Sequence, residues 1–275
     1  QELINQGTLL INVQDKVIGQ INALAVYQLG DYDFGRPTRI TAITFPGKAG
    51  IVDIERQAKL GGALHTKGVL ILNGYINGLY GQEQPLSLSA SLTFEQSYDE
   101  VQGDSASAAE LVALLSSIAR IPIRQDRAIT GSINQLGQIQ AIGGVNEKIE
   151  GFFAVCKAIG LTGDQGVIIP RSNQRHLMLK NDVLTAVNEG KFHIWAISSL
   201  DEVITILLDM QPGVRLPDGT YPSGTLHKAV QERLNEFNRA VIAATKNAAK
   251  QPPEPEQKEN KADPDNTNTN TMPIQ

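Results

Sequence analysis

The first third of the chain has the hydrophobic pattern of β-strands. Three segments rich in Ile, Val, Leu and Thr predict strands: TLLINV (8–13), IGQINALAVYQL (18–29) and TRITAITF (38–45). The turn-forming stretches QDK and GDYDFGRP separate them. A fourth segment, LSLSASLTF (86–94), alternates apolar residues with Ser or Thr, which indicates a strand with one buried face.

Longer apolar segments predict helices. GVLILNGYINGLYG (68–81) has no polar alternation, and its length favours a helix over a strand. VQGDSASAAELVALLSSIARIP (101–122) predicts a helix that ends near Ile121, because Pro122 restricts the residue before it. Another helix is expected from Gly144 to about Ile159, closed by Gly160 as the C′ residue.

The remaining elements mix strands and helices. AITGSINQLGQIQAIGG predicts a hairpin whose turn lies around Asn134 to Gly137. Further short strands are predicted at GVIIP (166–170) and FHIWAI (192–197), with helical stretches near 172–189 and 199–210. Strands and helices interleave without one strict period, so we expect an α+β fold or a mixed α/β fold.

The character of the sequence changes after Asp209. QPGVRLPDGTYPSG (211–224) is rich in Pro and Gly and predicts a surface loop. An amphipathic helix is predicted next, from one apolar stripe: Leu226, Val230, Leu234, Phe237 and Val241. Residues 251–275 have too few apolar side chains to offset the entropy of ordering, so we expect this tail to be disordered.

Composition narrows the class of protein. The 275 residues are 41% hydrophobic and 19% charged, as in ordinary globular proteins. A net charge of −5 argues against a nucleic-acid partner, which requires a basic surface. No apolar run reaches the roughly 20 residues needed to cross a bilayer, so no membrane partner is expected. The start has no secretory signal pattern, and the lone Cys156 fits a reducing cytoplasm.

Histidine, metal and nucleotide chemistry find little support in the sequence. The four histidines, His65, His176, His193 and His227, are scattered and none has a triad context. We expect His193 to be structural, and His176 and His227 to be solvated. H-E-x-x-H and paired cysteines are absent, so no metal site is predicted. FPGKAG lacks the upstream Gly and the Ser/Thr of a P-loop, so no cofactor is expected in this chain.

The polar group GDSAS at the start of a buried helix has two interpretations. Asp104 is a good N-cap residue, and Ser105 would then occupy the first helical position. Capping alone explains both residue types. Ser105 could instead be a nucleophile, because unpaired N–H groups at a helix N-terminus suit a developing oxyanion. A serine nucleophile requires a base.

Lys148 is the candidate base. Val145, Ile149, Phe152 and Cys156 form an apolar stripe at helical spacing, and Lys148 falls on it. Burial disfavours the charged amine and lowers its pKa. At an ordinary pKa near 10.4, only about one lysine in a thousand is neutral at pH 7.5. A decrease of about three units, ~4 kcal/mol, would produce a useful base. The alternative is an exposed helix lysine.

These segments together resemble the proteolytic domain of Lon-type ATP-dependent proteases. GDSAS resembles the nucleophile motif of the archaeal branch and of Lon-related bacterial proteins with a divergent ATPase region, and Ser105 falls on the family's serine. AITGSINQLGQIQAIGGVNEKIEG resembles the segment with the general-base lysine, at Lys148. The interval between the two also matches the family. VIIP with SNQRHL, and LGGALHTKGVLILNGYI, are similar to flanking segments, so the resemblance runs from about Ala49 to Leu208.

The resemblance implies a serine endopeptidase with a Ser105–Lys148 dyad that cleaves unfolded polypeptides. Thr130 matches a threonine thought to orient the lysine amine, although a plain strand threonine explains it equally well. An α+β domain is implied over 1–210, with a strand-rich part (1–95) and a part that carries the dyad (96–210). The loop and helix at 211–250 follow it. The resemblance also implies hexameric rings and an ATPase region, using ATP and Mg²⁺, which is not within this chain.

The same residues leave two alternatives for activity open. Asp104 could cap the helix or pair with Lys148, which would keep the lysine protonated and the isolated domain latent. The competing hypothesis for the whole domain is a catalytically silent Lon-like module that serves ring assembly or polypeptide binding. The presence of both dyad residues at the family interval favours the enzyme.

Overall fold

A mixed sheet is the central element of the computed structural model, which describes residues 10–248. The strands are β1 (Lys16–Val17), β2 (Gln20–Leu29), β3 (Tyr32–Pro46), β4 (Gly50–Asp53), β5 (Leu88–Phe94), β6 (Ile123–Arg124), β7 (Arg127–Ile129), β8 (Ser132–Ile133), β9 (Ile139–Gln140), β10 (Gly166–Pro170) and β11 (His193–Ile197). The helices are α1 (Ile54–Gln57), α2 (Ala63–Tyr80), α3 (Ser107–Ala119), α4 (Val145–Ile159), α5 (Asn181–Asn188), α6 (Leu200–Leu208) and α7 (Leu226–Ala248).

The seven-stranded sheet has the order β11-β10-β7-β2-β3-β5-β4. The strands from β11 to β2 run parallel, β2, β3 and β5 are antiparallel neighbours, and β4 runs parallel to β5. Two short antiparallel pairs, β1 with β6 and β8 with β9, lie outside this sheet. The sheet therefore joins strands from both the 1–95 part and the 96–210 part of the chain.

Helices cover both faces of the sheet and define two hydrophobic cores. On one face, α3 is almost completely buried against β2 and β3 and against α2 and α7. Its small residues Ala108, Ala109 and Ala113 permit this close packing. On the other face, α4 and α5 pack their apolar side chains against Leu24, Val167 and Phe192. The mixed strands and helices confirm the predicted α+β class.

Most of the longer predicted elements are present. Residues 68–80 of the ambiguous segment lie within helix α2, and LSLSASLTF contains β5. α4 ends at Ile159 with Gly160 after it, as its periodicity predicts. The hairpin turn lies at 134–137, where Gly137 N–H donates to Asn134 O. The apolar stripe of α7 packs into the core of its own chain through Leu226, Val230, Leu234 and Phe237.

Four expectations are wrong in detail. Residues 10–13 of TLLINV have no regular secondary structure, and its first two residues lie outside the described range. GDYDFGRP is not a loop, because β3 begins at Tyr32 and pairs with β2 from Tyr32 to Thr41. The stretch 172–189 divides into a 3₁₀ turn (Arg171–His176) and α5. His227 is buried, because α7 packs on α2 and places His227 Nδ1 2.6 Å from the Tyr80 hydroxyl.

Two further findings concern the membrane and the tail. Between residues 10 and 248, no helix is both long enough and apolar enough to cross a bilayer. The predicted disorder of 251–275 concerns a segment outside the described residues.

Candidate active site

Ser105 lies in a turn that precedes α3, not in the helix itself. The N-cap position belongs to Ala106, and no side chain caps this end. The predicted capping role of Asp104 is therefore wrong. Its carboxylate instead accepts a hydrogen bond from Ser132 Oγ at 2.9 Å, while its backbone carbonyl accepts from Ser107 N–H at 3.0 Å. These bonds draw the turn toward the segment that follows β7.

The same segment fixes the backbone of Ser105. The Ser105 carbonyl accepts hydrogen bonds from Gly131 N–H at 2.8 Å and from Thr130 Oγ1 at 3.3 Å. Two residues further, Ser107 Oγ accepts from Ile133 N–H at 3.0 Å. Because Thr130 N–H donates to β10 at Ile168 O, the serine turn is tied through this segment to the central sheet. A rigid backbone here holds Oγ in one place.

Lys148 projects from the first turns of α4 toward this serine. Its side chain is buried, with 3% of its surface exposed. Nζ lies 3.0 Å from Ser105 Oγ and 3.1 Å from Thr130 Oγ1. Within residues 10–248, no carboxylate lies within ion-pair distance of Nζ, so the pairing with Asp104 considered from the sequence is not present. The structure thus brings Ser105, Lys148 and Thr130 together and directs Asp104 elsewhere.

Burial has the predicted effect on the amine. It lowers the pKa of Lys148 to about 8, from 10.5, and no charged neighbour contributes to this shift. With that pKa, about a quarter of the amines are neutral at pH 7.5, compared with about one in a thousand for an ordinary lysine. The predicted position of Lys148 on a buried stripe is confirmed.

Glycines set the distance between α4 and the sheet. A Cβ on Gly35 would overlap the backbone carbonyl of Glu147, and one on Gly151 would overlap the carbonyl of Gly35. The helix therefore rests directly on strand β3, and the neighbouring Lys148 begins close to the sheet. The sequence gives no sign of this contact, because Gly35 falls in a stretch that predicts a loop.

Two unpaired backbone groups complete the arrangement. The N–H groups of Ser105 and Ala106 make no hydrogen bond within the described part of the chain, and both residues are partly exposed. They lie at the N-terminus of α3, where the helix dipole favours negative charge. Such groups can stabilise an oxyanion formed next to Ser105 Oγ.

The histidines take no part in this site. In the described residues, His193 bonds to Gly163 O, His227 to Tyr80, and His65 lies beside Asp53. The exposed His176 has no bond to Ser105. Lys148 is therefore the basic side chain that the fold presents to the serine. Ser132 and Gly131, which hold the serine turn, were not singled out from the sequence, where they look like ordinary hairpin residues.

The sequence that forms this site is similar to that of one family of known proteins. Residues 100–210 match the family described as the Lon protease (S16) C-terminal proteolytic domain. The chain is 47% identical over 241 residues to an Escherichia coli (strain K12) protein named "Putative Lon protease homolog", an alignment covering 87% of this chain and 40% of that protein. A protein of the same name from Haemophilus influenzae is 39% identical over 235 residues, covering 85% of this chain and 39% of that protein.

A more distant relative comes from the archaea. The "Archaeal Lon protease" of Pyrococcus abyssi is 30% identical over 237 residues, which cover 84% of this chain and 22% of that protein. The chain thus spans at most about two fifths of the length of these relatives.

Proposed function

We propose that this chain, whose residues 100–210 match the family of Lon protease (S16) C-terminal proteolytic domains, cleaves polypeptides with Ser105 as nucleophile and Lys148 as general base. One observation carries the proposal: a buried amine lies 3.0 Å from a serine hydroxyl, and no carboxylate of residues 10–248 lies beside it to hold the proton. Ser105 or Lys148 alone would be compatible with a purely structural role. The short distance between them and the burial of the amine support a catalytic role.

The proposed reaction begins with the neutral amine. Lys148 Nζ takes the proton of Ser105 Oγ as the oxygen attacks a peptide carbonyl. The N–H groups of Ser105 and Ala106 bind the oxyanion of the tetrahedral intermediate. When the intermediate collapses, the leaving amine takes the proton from Lys148, and an acyl-enzyme remains. Water then attacks the acyl group with Lys148 again as the base, which releases the acid and restores Ser105.

Thr130 is the proposed positioning residue. Its hydroxyl oxygen accepts from the Lys148 amine and its hydroxyl hydrogen is directed to the Ser105 carbonyl. One side chain therefore holds both members of the dyad. This arrangement fixes the direction of the amine, so that its lone pair faces Ser105 Oγ when the proton is absent.

The wider setting is proposed from the relatives, which are more than twice as long as this chain. We propose that the substrates are unfolded polypeptides, and that an ATPase region of the parent protein, using ATP and Mg²⁺, delivers them to a hexameric chamber. A cytoplasmic location is supported by the single, buried Cys156. No nucleic-acid or membrane partner is proposed.

The first prediction concerns peptide hydrolysis by the full-length parent protein. We expect Ser105→Ala and Lys148→Met each to lower kcat/KM for a peptide substrate by 10³-fold or more, because each removes a member of the dyad. Lys157→Met is the matched control, since Lys157 lies on the same helix, is half-exposed and pairs with Asp182. An equal loss in the control, or retained activity in the dyad variants, would contradict the proposal.

Covalent labelling separates the enzyme from the silent module. A fluorophosphonate reacts only with an activated serine, so we expect it to label the wild-type parent protein at Ser105 and to leave Lys148→Met unlabelled. If the assembled wild-type protein does not label, the chain is better described as a module for ring assembly or polypeptide binding.

A further inference from the structure

A second group of ionisable side chains is buried away from the serine and lysine. Asp53 ends β4, Glu55 lies in α1, His65 in α2 and Glu110 in α3. Each is at most 4% exposed. The ligand atoms that Asp53, Glu55 and His65 can offer all lie within 4.8 Å of one another. Charged groups are almost never fully buried without partners, so this cluster requires an explanation.

The hydrogen bonds of the cluster are incomplete. Both carboxylate oxygens of Asp53, Glu55 Oε2 and His65 Nε2 are buried without a hydrogen-bond partner in the described residues. Asp53 Oδ2 and His65 Nε2 approach to 3.1 Å, yet the pair does not have hydrogen-bond geometry. A carboxylate oxygen and a ring nitrogen that lie this close without a hydrogen bond between them can both bind one metal ion.

Hydrogen bonds from β5 fix the orientation of the Glu55 carboxylate. Its Oε1 accepts from Phe94 N–H and from Thr93 Oγ1, both at 2.8 Å. The other oxygen, Oε2, is the one left free. Hydrogen bonds to the outer oxygen of a carboxylate are a common way in which proteins orient metal ligands.

Glu110 supplies an independent observation from another helix. Its Oε1 is buried without a hydrogen bond and lies 3.9 Å from His65 Nδ1, the ring nitrogen on the side away from Asp53. A carboxylate facing the second nitrogen of a metal-binding histidine is the usual outer-shell arrangement, because it fixes the ring and its tautomer.

We propose that Asp53 and Glu55, through one oxygen each, and His65, through Nε2, bind one divalent transition-metal ion of the Zn²⁺ or Mn²⁺ class, with Glu110 as the outer carboxylate on His65. Ligands about 2.1 Å from such an ion lie ~3.0–4.2 Å from one another, which agrees with the short approach of Asp53 to His65. An imidazole ligand favours these ions over Mg²⁺ and Ca²⁺. The pattern D-x-E-x₉-H differs from the metal motifs sought in the sequence.

The role of the ion would be structural. Its ligands join β4, α1 and α2, and the loop before α2 pairs with the segment before Ser105 through Gly62 N–H to Val101 O and Val101 N–H to Leu60 O. Gly68 of α2 also packs beside Asp104. None of the three proposed ligands contacts Ser105 or Lys148 in the described residues. The ion would therefore stabilise the segments that pack against the serine turn without taking part in the reaction.

Metal binding is tested directly on the untagged 275-residue chain. After treatment with EDTA, we expect it to bind one equivalent of Zn²⁺ or Mn²⁺ and its Tm to rise by about 5–10 °C at saturating metal. Asp53→Asn and His65→Gln should abolish both effects, whereas His176→Gln, an exposed histidine, should retain them. X-ray absorption of the metal-loaded wild type should show one imidazole with oxygen donors.

Each outcome decides the proposal. Absence of binding and of any Tm change with both ions would overturn it, and the cluster would then be an ion pair of Asp53 with protonated His65. Binding that persists in the two ligand variants would place the metal elsewhere. If a variant does not fold, the absorption spectrum of the wild type still decides, since several imidazoles or a sulfur donor would exclude this site.

Discussion

At the scale of the residue, the central feature is Lys148, whose pKa is lowered by burial with no contribution from a charged group among the described residues. A carboxylate beside Nζ would raise the pKa and hold the proton, but Asp104 is bonded to Ser132. Burial alone therefore sets the pKa of Lys148 at about 8. Sequence periodicity was sufficient to predict this burial. It could not predict that the Asp104 carboxylate bonds to Ser132, because Ser132 lies 28 residues away along the chain.

Thr130 offers a prediction at the same scale. We expect Thr130→Val to lower kcat about 10- to 100-fold with little change in KM, because the amine loses the group that orients it while the substrate contacts remain. Thr130→Ser keeps the hydroxyl and should recover most of the activity. Steady-state kinetics of the parent protein measure both variants. If Val and Ser behave alike, Thr130 is an ordinary strand residue.

At the scale of the element, the position of α4 on β3 decides whether Lys148 can reach Ser105. The apolar stripe predicts the helix and its buried face, and both its ends agree with the structure. The contact through Gly35 and Gly151 was not predictable, since it depends on which strand lies beneath the helix. The length of β3 was missed for a related reason. Its polar first half is held by pairing with β2, which local sequence does not show.

Gly35→Ala tests this contact. The added methyl group would push α4 away from the strand, so we expect a loss of about 1–3 kcal/mol in unfolding free energy and a fall in activity per folded molecule. Gly78→Ala is the control, because a Cβ there meets open space within α2, and it should raise stability by about 0.5–1 kcal/mol. Urea unfolding and peptide hydrolysis measure the two effects. Unchanged stability in Gly35→Ala would refute the close packing.

At the scale of the whole molecule, one sheet unites the strand-rich part and the part that carries the dyad. The sequence predicts the mixed class correctly from alternating strand and helix signals. It could not predict the strand order, in which β7 of the second part lies beside β2 of the first. Helix α7 also belongs to this packed unit, because its apolar stripe lies in the core beside α3. Residues 226–237 are thus part of the packed molecule.

Truncation tests the contribution of α7. A chain that ends after Gly224 loses Leu226, Val230, Leu234 and Phe237 from the core, a loss of about 6–12 kcal/mol at ~1.5–3 kcal/mol for each side chain. That is comparable to the whole stability of a typical domain, so we expect it not to fold. A chain that ends after Val241 keeps these residues and should fold. Circular dichroism and urea unfolding distinguish the two, and a stably folded shorter chain would refute this packing.

The most direct test of the account is an NMR titration of the Lys148 amine in the folded chain, with its signal identified by its absence in Lys148→Met. Burial favours the neutral form, so the amine should lose its proton as the pH rises through about 8. The activity of the parent protein should rise over the same range. A midpoint near the ordinary value of 10.5 would show a solvated, protonated lysine and would contradict its role as the base.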